Sequence, residues 1–407
     1  MPKSVDVSHD DQILFRTATD SDWDALKLLI STGFGFHPSE NDATMMRALH
    51  SPENIVVATD GGVPVAMAVG FDMEFTVPGG HQVPTRGITW VSVAPTHRRR
   101  GILRSMFEKL HETITASGAP LAALTASDAG IYGRFGYGPA TVEEQITFDR
   151  RFARFQADVP DPGGVSIVDA RTAAATLPDI YDRWRLLTPG AQQRPTAHWD
   201  RTFAESADDK NGGSALFFLT HADGYVAYRH NYDGSENVVK VSQFVAITPQ
   251  AYAALWRALI GLDLVTRIEV NQHPDDPLRL LLTDYRSVRT KSRTDHLWLR
   301  IMDVPAALQA RDYAADLDTV IEIDDPYLDA GGTFRLRVRD GRATCTPTDA
   351  SPQVTMASDV LSALYLGTHR ARTFASAHRL RATDSRAVDA VDAAFSVDRP
   401  AVLGYGF

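Results

Sequence analysis

The chain has 407 residues, 44% hydrophobic and 23% charged, the balance of a soluble globular protein with room for two or three domains. Its formal charge of −10 argues against a general nucleic-acid or anionic-membrane binder and is compatible with cationic, amine-bearing substrates. A single cysteine, Cys345, excludes an internal disulfide and any paired-cysteine zinc site. The 13 histidines show no HExxH or His-x-x-x-His spacing, so no metal site is expected. No stretch approaches the ~18–20 apolar residues needed to span a bilayer. The polar start MPKSVDVSHDDQ does not read as a secretory signal, and a cytoplasmic protein is expected.

In chain order, Asp22–Ile30 predicts a short amphipathic helix with Trp23, Leu26, Leu29 and Ile30 on one side. Apolar runs at 55–58 and 64–71, joined by Asp60-Gly61-Gly62, predict a hairpin. Ile88–Val93 is β-branched and aromatic, a strand that Pro95 ends. His97-Arg98-Arg99-Arg100-Gly101 then opens a helix whose buried stripe is read as Leu103, Met106, Phe107, Leu110 and Ile114. A helix start carries unpaired N–H groups and the positive end of the dipole. With glycine for close approach and arginines for charge, it suits a phosphate or pyrophosphate. An arginine triplet alone also suits a solvated basic turn or a nucleic-acid contact; the strand before it and the helix after it favour the phosphate reading.

Strands are expected at 121–125 and 142–148, with a short helix over 129–135 ending at Gly136, and a linker at Pro160–Gly164. The next lobe reads as a degenerate copy of the first. It has a hairpin around Asp223-Gly224, a strand over 239–248, a helix bearing Tyr252, Leu255, Trp256, Leu259 and Ile260, and a strand over 265–270. Gln250-Ala251-Tyr252 stands where the arginine–glycine turn would be. A third lobe from Trp298 carries a helix over 304–313, strands over 320–323 and 334–338, and helices over 360–366 and 388–395 begun by Asp359 and Asp384-Ser385.

The turn Arg98–Leu103 after its V-x-V strand resembles the acyl-CoA signature of GNAT N-acetyltransferases, [Arg/Gln]-x-x-Gly-x-[Gly/Ala], with Leu103 departing at the last position. Longer matches are VAPTHRRRG at 93–101, IYGRFGYGPAT at 131–141, RRFARF at 150–155, LWRALIGLD at 255–263, LWLRIM at 297–302, CTPTDA at 345–350 and the C-terminal Phe407. With them the whole chain resembles the Eis (enhanced intracellular survival) family of N-acetyltransferases.

The resemblance implies an α+β chain of tandem GNAT-like domains, each a mixed sheet flanked by helices, followed by a sterol-carrier-protein-like α/β domain. The expected boundaries are 1–155 for a catalytic acetyl-CoA-binding domain, 156–297 for a GNAT-like domain without a CoA site, and 298–407 for the third, whose C-terminus reaches the active site. It further implies acetyl-CoA as cofactor, a small-molecule amine substrate with aminoglycosides as the best-known class and antibiotic resistance as the consequence, and a homohexamer. Val91 and Val93 would pair with the pantetheine arm, Arg98, Arg99 and Gly101 would cradle the pyrophosphate, and Ser127 would lie on the CoA side. Tyr132 would be the general acid and the Phe407 carboxylate the group that accepts the amine proton. Trp184 and Trp199 match aromatic positions of the substrate cleft, with two buried core tryptophans as the alternative. Phe34, Phe36 and Glu40 lie on a loop expected to face the cleft. A protein Nε-lysine acetyltransferase and a non-catalytic acyl-CoA or lipid-binding module are the rival readings.

An ordinary tyrosine, near 10, can protonate a thiolate, near 8.5, once the two are held together. An α-carboxyl near 3.5 is a weak base at neutral pH. Burial raising it, a water relay, or orientation of a small neutral fraction of amine are all open at this point.

Overall fold

The computed structural model describes residues 13–205, 210, 212–232, 234 and 236–407, in two compact units. The first unit comprises residues up to Phe71 together with Arg86–Gly118. It holds β1 (Leu14–Thr17), α1 (Trp23–Phe34), α2 (Glu40–Leu49), β2 (Ile55–Asp60) and most of β3 (Val63–Thr76) and β4 (Gln82–Val93), then α3 (Ile102–Ser117). β1 and β3 flank β2 antiparallel, and the Gly61-Gly62 turn between β2 and β3 has both residues at positive φ, as a tight two-residue hairpin requires. Trp23, Leu26, Leu29 and Ile30 of α1 bury against Ile55, Val57, Met67 and Val69, so the expected amphipathic face forms. Glu40, expected on a loop, instead opens α2. Ser39 accepts from Asp42 N while the Asp42 carboxylate accepts from Ser39 N, a capping box.

The second unit comprises Asp72–Thr85 and Ala119–Phe407. Its first strands are β5 (Leu121–Thr125), β6 (Gly138–Pro139) and β7 (Val142–Asp149), with α4 (Ala129–Tyr132) between β5 and β6. After a loop come β8 (Ser166–Val168), α5 (Ala170–Arg185), α6 (Thr196–Phe203), β9 (Phe217–His221), β10 (Gly224–Tyr232), β11 (Asn237–Ala246), α7 (Pro249–Ile260), β12 (Arg267–Gln272), α8 (Leu278–Leu281), β13 (Arg289–Asp295) and β14 (Leu297–Ile301).

Two strands sit where chain order does not put them. Chain order predicts that β7 closes the first lobe. It pairs antiparallel with both β12 and β13, inside a seven-stranded sheet ordered β13-β7-β12-β11-β10-β9-β8. In return, β14 pairs antiparallel with β5 and β6. Backbone pairing is indifferent to sequence distance, and each exchanged strand buries its apolar residues on its new sheet: Ile146 and Phe148 beside Trp256, and Leu297, Leu299 and Ile301 beside Leu121 and Ala123.

The last segment forms α9 (Val304–Gln309), β15 (Leu317–Asp324), β16 (Gly332–Arg339), β17 (Arg342–Pro347), β18 (Val354–Ala357), α10 (Ser358–Leu364), α11 (Ala371–Ser376), β19 (Leu380–Ala382) and α12 (Ser385–Phe395). The helix expected to reach Tyr313 ends at Gln309; beyond it Arg311 is fully buried and donates to the Tyr365 and Phe395 carbonyls. The sheet is ordered β17-β16-β15-β18-β19. Its core is continuous with that of β5 and β14. Among the described residues no helix is long and apolar enough to cross a membrane, and no cluster of His, Cys, Asp and Glu could hold a metal.

Candidate active site

In the first unit, β4 leads into the arginine turn. Trp90 has φ +50, a left-handed residue within β4 just before Val91. Val91 and Val93 are half-buried and alternate with buried Ser92. Ser92 donates to the Leu29 carbonyl at 2.9 Å, and a Cβ on Gly33 would meet its Oγ at 2.3 Å, so α1 lies tightly on that face. Phe34 and Phe36 flank Gly35 at the end of α1 and are both exposed.

After Pro95, Arg99 (φ +64) and Gly101 (φ +81) both adopt the left-handed conformation and turn the chain into α3. No side chain caps α3, and the space around Gly101 is open. Arg98, Arg99 and Arg100 are exposed. Arg100 approaches Asp60 at 3.8 Å, and His97 shares that carboxylate at 3.0 Å, which pins the turn to the β2–β3 hairpin. Arg98 and Arg99 have no carboxylate partner among the described residues, which leaves their charge for a ligand. An uncapped helix start beside two arginines without a carboxylate partner, Arg98 Nε reaching only the Val93 carbonyl at 3.5 Å among the described residues, fits a pyrophosphate. On the buried stripe of α3, Ile102 and His111 join Met106, Phe107, Leu110 and Ile114, whereas Leu103 is only half-buried.

In the second unit, β5 ends at Thr125 and Ser127 follows on an exposed bend. Asp128 caps α4 by accepting from Gly130 N at 2.9 Å. Tyr132 closes the helix, 5% exposed, edge-on to the fully buried Tyr137 at 6.4 Å. Burial, helped by the Asp128 charge, pushes the Tyr132 phenol up to about 12. The turn after it is held by β14 and by the last segment of the chain. Buried Arg300, paired with Asp325, donates to the Phe135 carbonyl, and Ser362 donates to that of Gly136 at 3.4 Å. Gly136 has φ +79, and a Cβ there would overlap the Arg300 guanidinium.

The chain's last residues dock along the same unit. Val402 N donates to the Pro189 carbonyl at 2.9 Å. Gln192 takes Gly404 N on its Oε1 at 3.1 Å and donates to the Tyr405 carbonyl at 2.7 Å. Gln243 donates to the Gly404 carbonyl at 3.1 Å. Tyr405 stacks obliquely on His198 at 4.3 Å and shares the Arg194 guanidinium with Trp199. The half-buried Phe407 ring meets Phe75 edge-on at 6.3 Å, and its main-chain oxygen accepts from the Thr125 hydroxyl at 3.0 Å. The anchors Thr125, Gln192 and Gln243 were not singled out from sequence; a lone glutamine that bonds to main chain has no periodic signature.

Trp184 and Trp199 are both buried and both pack on Tyr181, at 5.5 and 5.6 Å. Both rings lie in the core, and Trp184 also borders a cavity.

The acetyltransferase (GNAT) domain family matches residues 15–140, a second GNAT domain family matches 190–301, and the sterol carrier protein domain family matches 304–403. The chain is 47% identical over 400 residues to N-acetyltransferase Eis of Mycobacterium bovis, covering 96% of this chain and 98% of that one. It is 33% identical to an uncharacterized N-acetyltransferase of Streptomyces avermitilis, covering 96% and 99%. The crystal structure of Eis1 from Mycobacterium abscessus superposes with a TM-score of 0.87 at 31% identity, over 97% of this chain and all of that one. A GCN5-related N-acetyltransferase from Anabaena variabilis, at 20% identity, shares the fold with a TM-score of 0.84. Two GNAT domains followed by a sterol-carrier-like domain, matched along nearly the whole length, place this chain in the Eis family of N-acetyltransferases, GNAT enzymes that draw on an acyl-CoA.

Proposed function

We propose that the enzyme transfers acetyl groups from acetyl-CoA to the primary amines of aminoglycoside-type polyamines, at more than one position, by direct attack of the amine on the thioester. Supporting this is the bond from Thr125 to Phe407, because Ser127 and Tyr132 follow Thr125 within a few residues and the tail is anchored along its length. Acetyl-CoA supplies the activated acyl group. Arg98, Arg99 and the open α3 start at Gly101 hold its pyrophosphate, the main chain of Val91 and Val93 aligns its arm, and Ser127 flanks it.

Tyr132 keeps its proton throughout the neutral range, since burial raises its pKa. Full transfer from a group near 12 to a thiolate near 8.5 runs uphill by roughly 3.5 pK units, about 5 kcal/mol. Desolvation also raises a thiol, which narrows that gap. Tyr132 therefore acts first as a hydrogen-bond donor to the leaving sulfur and hands over its proton late. The Phe407 carboxylate attracts the substrate ammonium and takes up its proton directly or through water. Phe34 and Phe36, exposed beside Gly35, offer apolar contact to the substrate; Trp184 and Trp199 shape the wall behind the tail. The assignment extends to a domain division near residues 155 and 297, with β7 and β14 exchanged across it, a homohexamer and a cytoplasmic location.

The test is mass spectrometry of a polyamine aminoglycoside incubated with untagged protein and acetyl-CoA. Products carrying several acetyl groups are expected. Absence of any acetylated aminoglycoside, with acetyl-CoA binding intact, would replace this substrate class with a protein lysine or another dedicated amine.

A further inference from the structure

The second GNAT-like sheet opens where the first carries its arginine turn. β11 and β12 pair in parallel only from Val238 opposite Arg267 to Val241 opposite Val270. Beyond that each keeps only its outer neighbour: β11 stays on β10 as far as Ala246, and β12 stays on β7 as far as Gln272. Parting parallel strands leave a crevice at their carboxyl ends, the usual place for a ligand in such sheets. A cavity of about 440 Å³ lies there, within the range of small-molecule sites. This opening is not built for a nucleotide. The helix that follows, α7, begins with Pro249, which has no N–H, and Thr248 caps Ala251 N at 3.2 Å.

Most of the wall is apolar: Trp184, Phe244, Ile247, Leu281, Val402 and Leu403. Four charged groups border it: Glu143 is engaged by Asn271 and His296, and Asp275 is solvent-exposed beside His273, which leaves Arg399 and Asp276, not paired to each other, as the two that can face a ligand. Arg399 is half-buried, and among the described residues its guanidinium donates only to the Thr188 hydroxyl at 3.4 Å and the Ile247 carbonyl at 3.2 Å. No carboxylate neutralises it among the described residues. A guanidinium has five donors, so most of its capacity is open. Asp276, from the loop after β12, takes both the Tyr252 hydroxyl and Leu278 N on Oδ1, and its Oδ2 has no donor among the described residues. Burial raises its pKa to about 6, so it is still mostly ionised at neutral pH. Gln272, on the same lining, has a buried amide nitrogen without an acceptor among the described residues.

A fatty acid would satisfy Arg399 and leave Asp276 facing an apolar body; a polyamine would do the reverse. We propose that this cavity binds a zwitterion with an apolar body, an apolar amino acid or dipeptide, its carboxylate on Arg399, its ammonium on Asp276 Oδ2 and its side chain against Phe244 and Ile247. The cavity shares Trp184 and the tail residues 399–403 with the wall assigned above, but Arg399 and Asp276 have no part in acetyl transfer, and the proposal does not depend on that assignment.

The experiment is calorimetric titration of the full chain, without acetyl-CoA, with L-phenylalanine and L-leucyl-L-phenylalanine, each also as the N-acetyl and C-terminal amide derivative. At least one free zwitterion should bind, and each capped form should bind about tenfold or more weakly. Arg399→Gln should remove the discrimination against the amide alone, and Asp276→Asn that against the N-acetyl form alone. Ala246→Phe, which fills the cavity, should abolish binding; circular dichroism reports whether each variant is folded. Failure of both zwitterions to bind up to millimolar concentration overturns the proposal. So does binding indifferent to both caps, or binding lost in Tyr132→Phe and kept in folded Ala246→Phe.

Discussion

The hydroxyl of Thr125, at the end of β5, donates to the main-chain oxygen of Phe407 at 3.0 Å, across 282 positions of sequence. If the terminal carboxylate serves the amine, this bond sets its position. Thr125→Val should lower kcat by about tenfold with little change in acetyl-CoA binding, and an extension past Phe407 should lower it by about a hundredfold. Steady-state kinetics beside acetyl-CoA titration checks both; an extended enzyme with normal kcat would remove the carboxylate from the mechanism.

Gly404 is the tail's tightest point. A Cβ there would lie 2.0 Å from the Tyr181 hydroxyl, which is itself fixed on the Gln192 carbonyl at 2.9 Å. Gly404→Ala should displace the tail and reduce turnover by at least about tenfold, while thermal melting shows the core intact. Gln192→Ala, which removes two tail anchors, should act in the same direction.

The pH profile separates the roles of the groups. Since burial raises Tyr132 to about 12, it stays protonated below roughly pH 11, and its ionisation should add no falling limb to kcat/KM up to pH ~10. Activity should instead rise with pH as substrate amines lose protons. Tyr132→Phe should lower kcat by about 10²-fold without moving that rise. A falling limb in the wild type that vanishes in Tyr132→Phe would show the tyrosine ionising earlier.

Acid sensitivity should come in part from His50. It is 4% exposed, edge-on to Phe71 and Trp90 at 4.9 Å each, and burial lowers its pKa from 6.5 to about 4. The unfolded chain binds a proton there between pH 6.5 and 4 and the folded one does not. The stability tied to this residue is therefore complete above pH 6.5 and falls towards pH 4, by up to about 3 kcal/mol. Melting curves of His50→Leu should show a flatter dependence on pH across that window; an unchanged slope would locate the sensitivity elsewhere.

Local chemistry was legible in the sequence, and long-range pairing was not. Pro95, Gly101 and the Met106–Phe107–Leu110 stripe act within a few residues, so their strand, turn and helix could be read directly. The left-handed Arg99 could not, since nothing in an arginine announces positive φ. The Ser39–Asp42 capping box before α2 is a readable signal, a serine followed three residues later by an acid that accepts from its backbone. The exchange of β7 and β14 was invisible because alternation tells which face of a strand is buried and never which strand lies beside it. The tail's position rests on glutamine and threonine bonds to main chain, which carry no pattern at all.

The exchange of β7 and β14 also bears on how the polypeptide leaves the ribosome. β5 is synthesised roughly 170 residues before β14, its eventual neighbour, and β7 precedes β12 and β13 by more than a hundred. At about 5–20 residues per second, the edge of β5 that will receive β14 stays bare for some ten seconds or more. The segment from β5 to β7 is thus no autonomous nascent unit. Its strand pairing is completed only when β12–β14 have emerged, so these strands must mature together, and a fragment ending near residue 150 should accumulate as insoluble aggregate rather than as a small working enzyme.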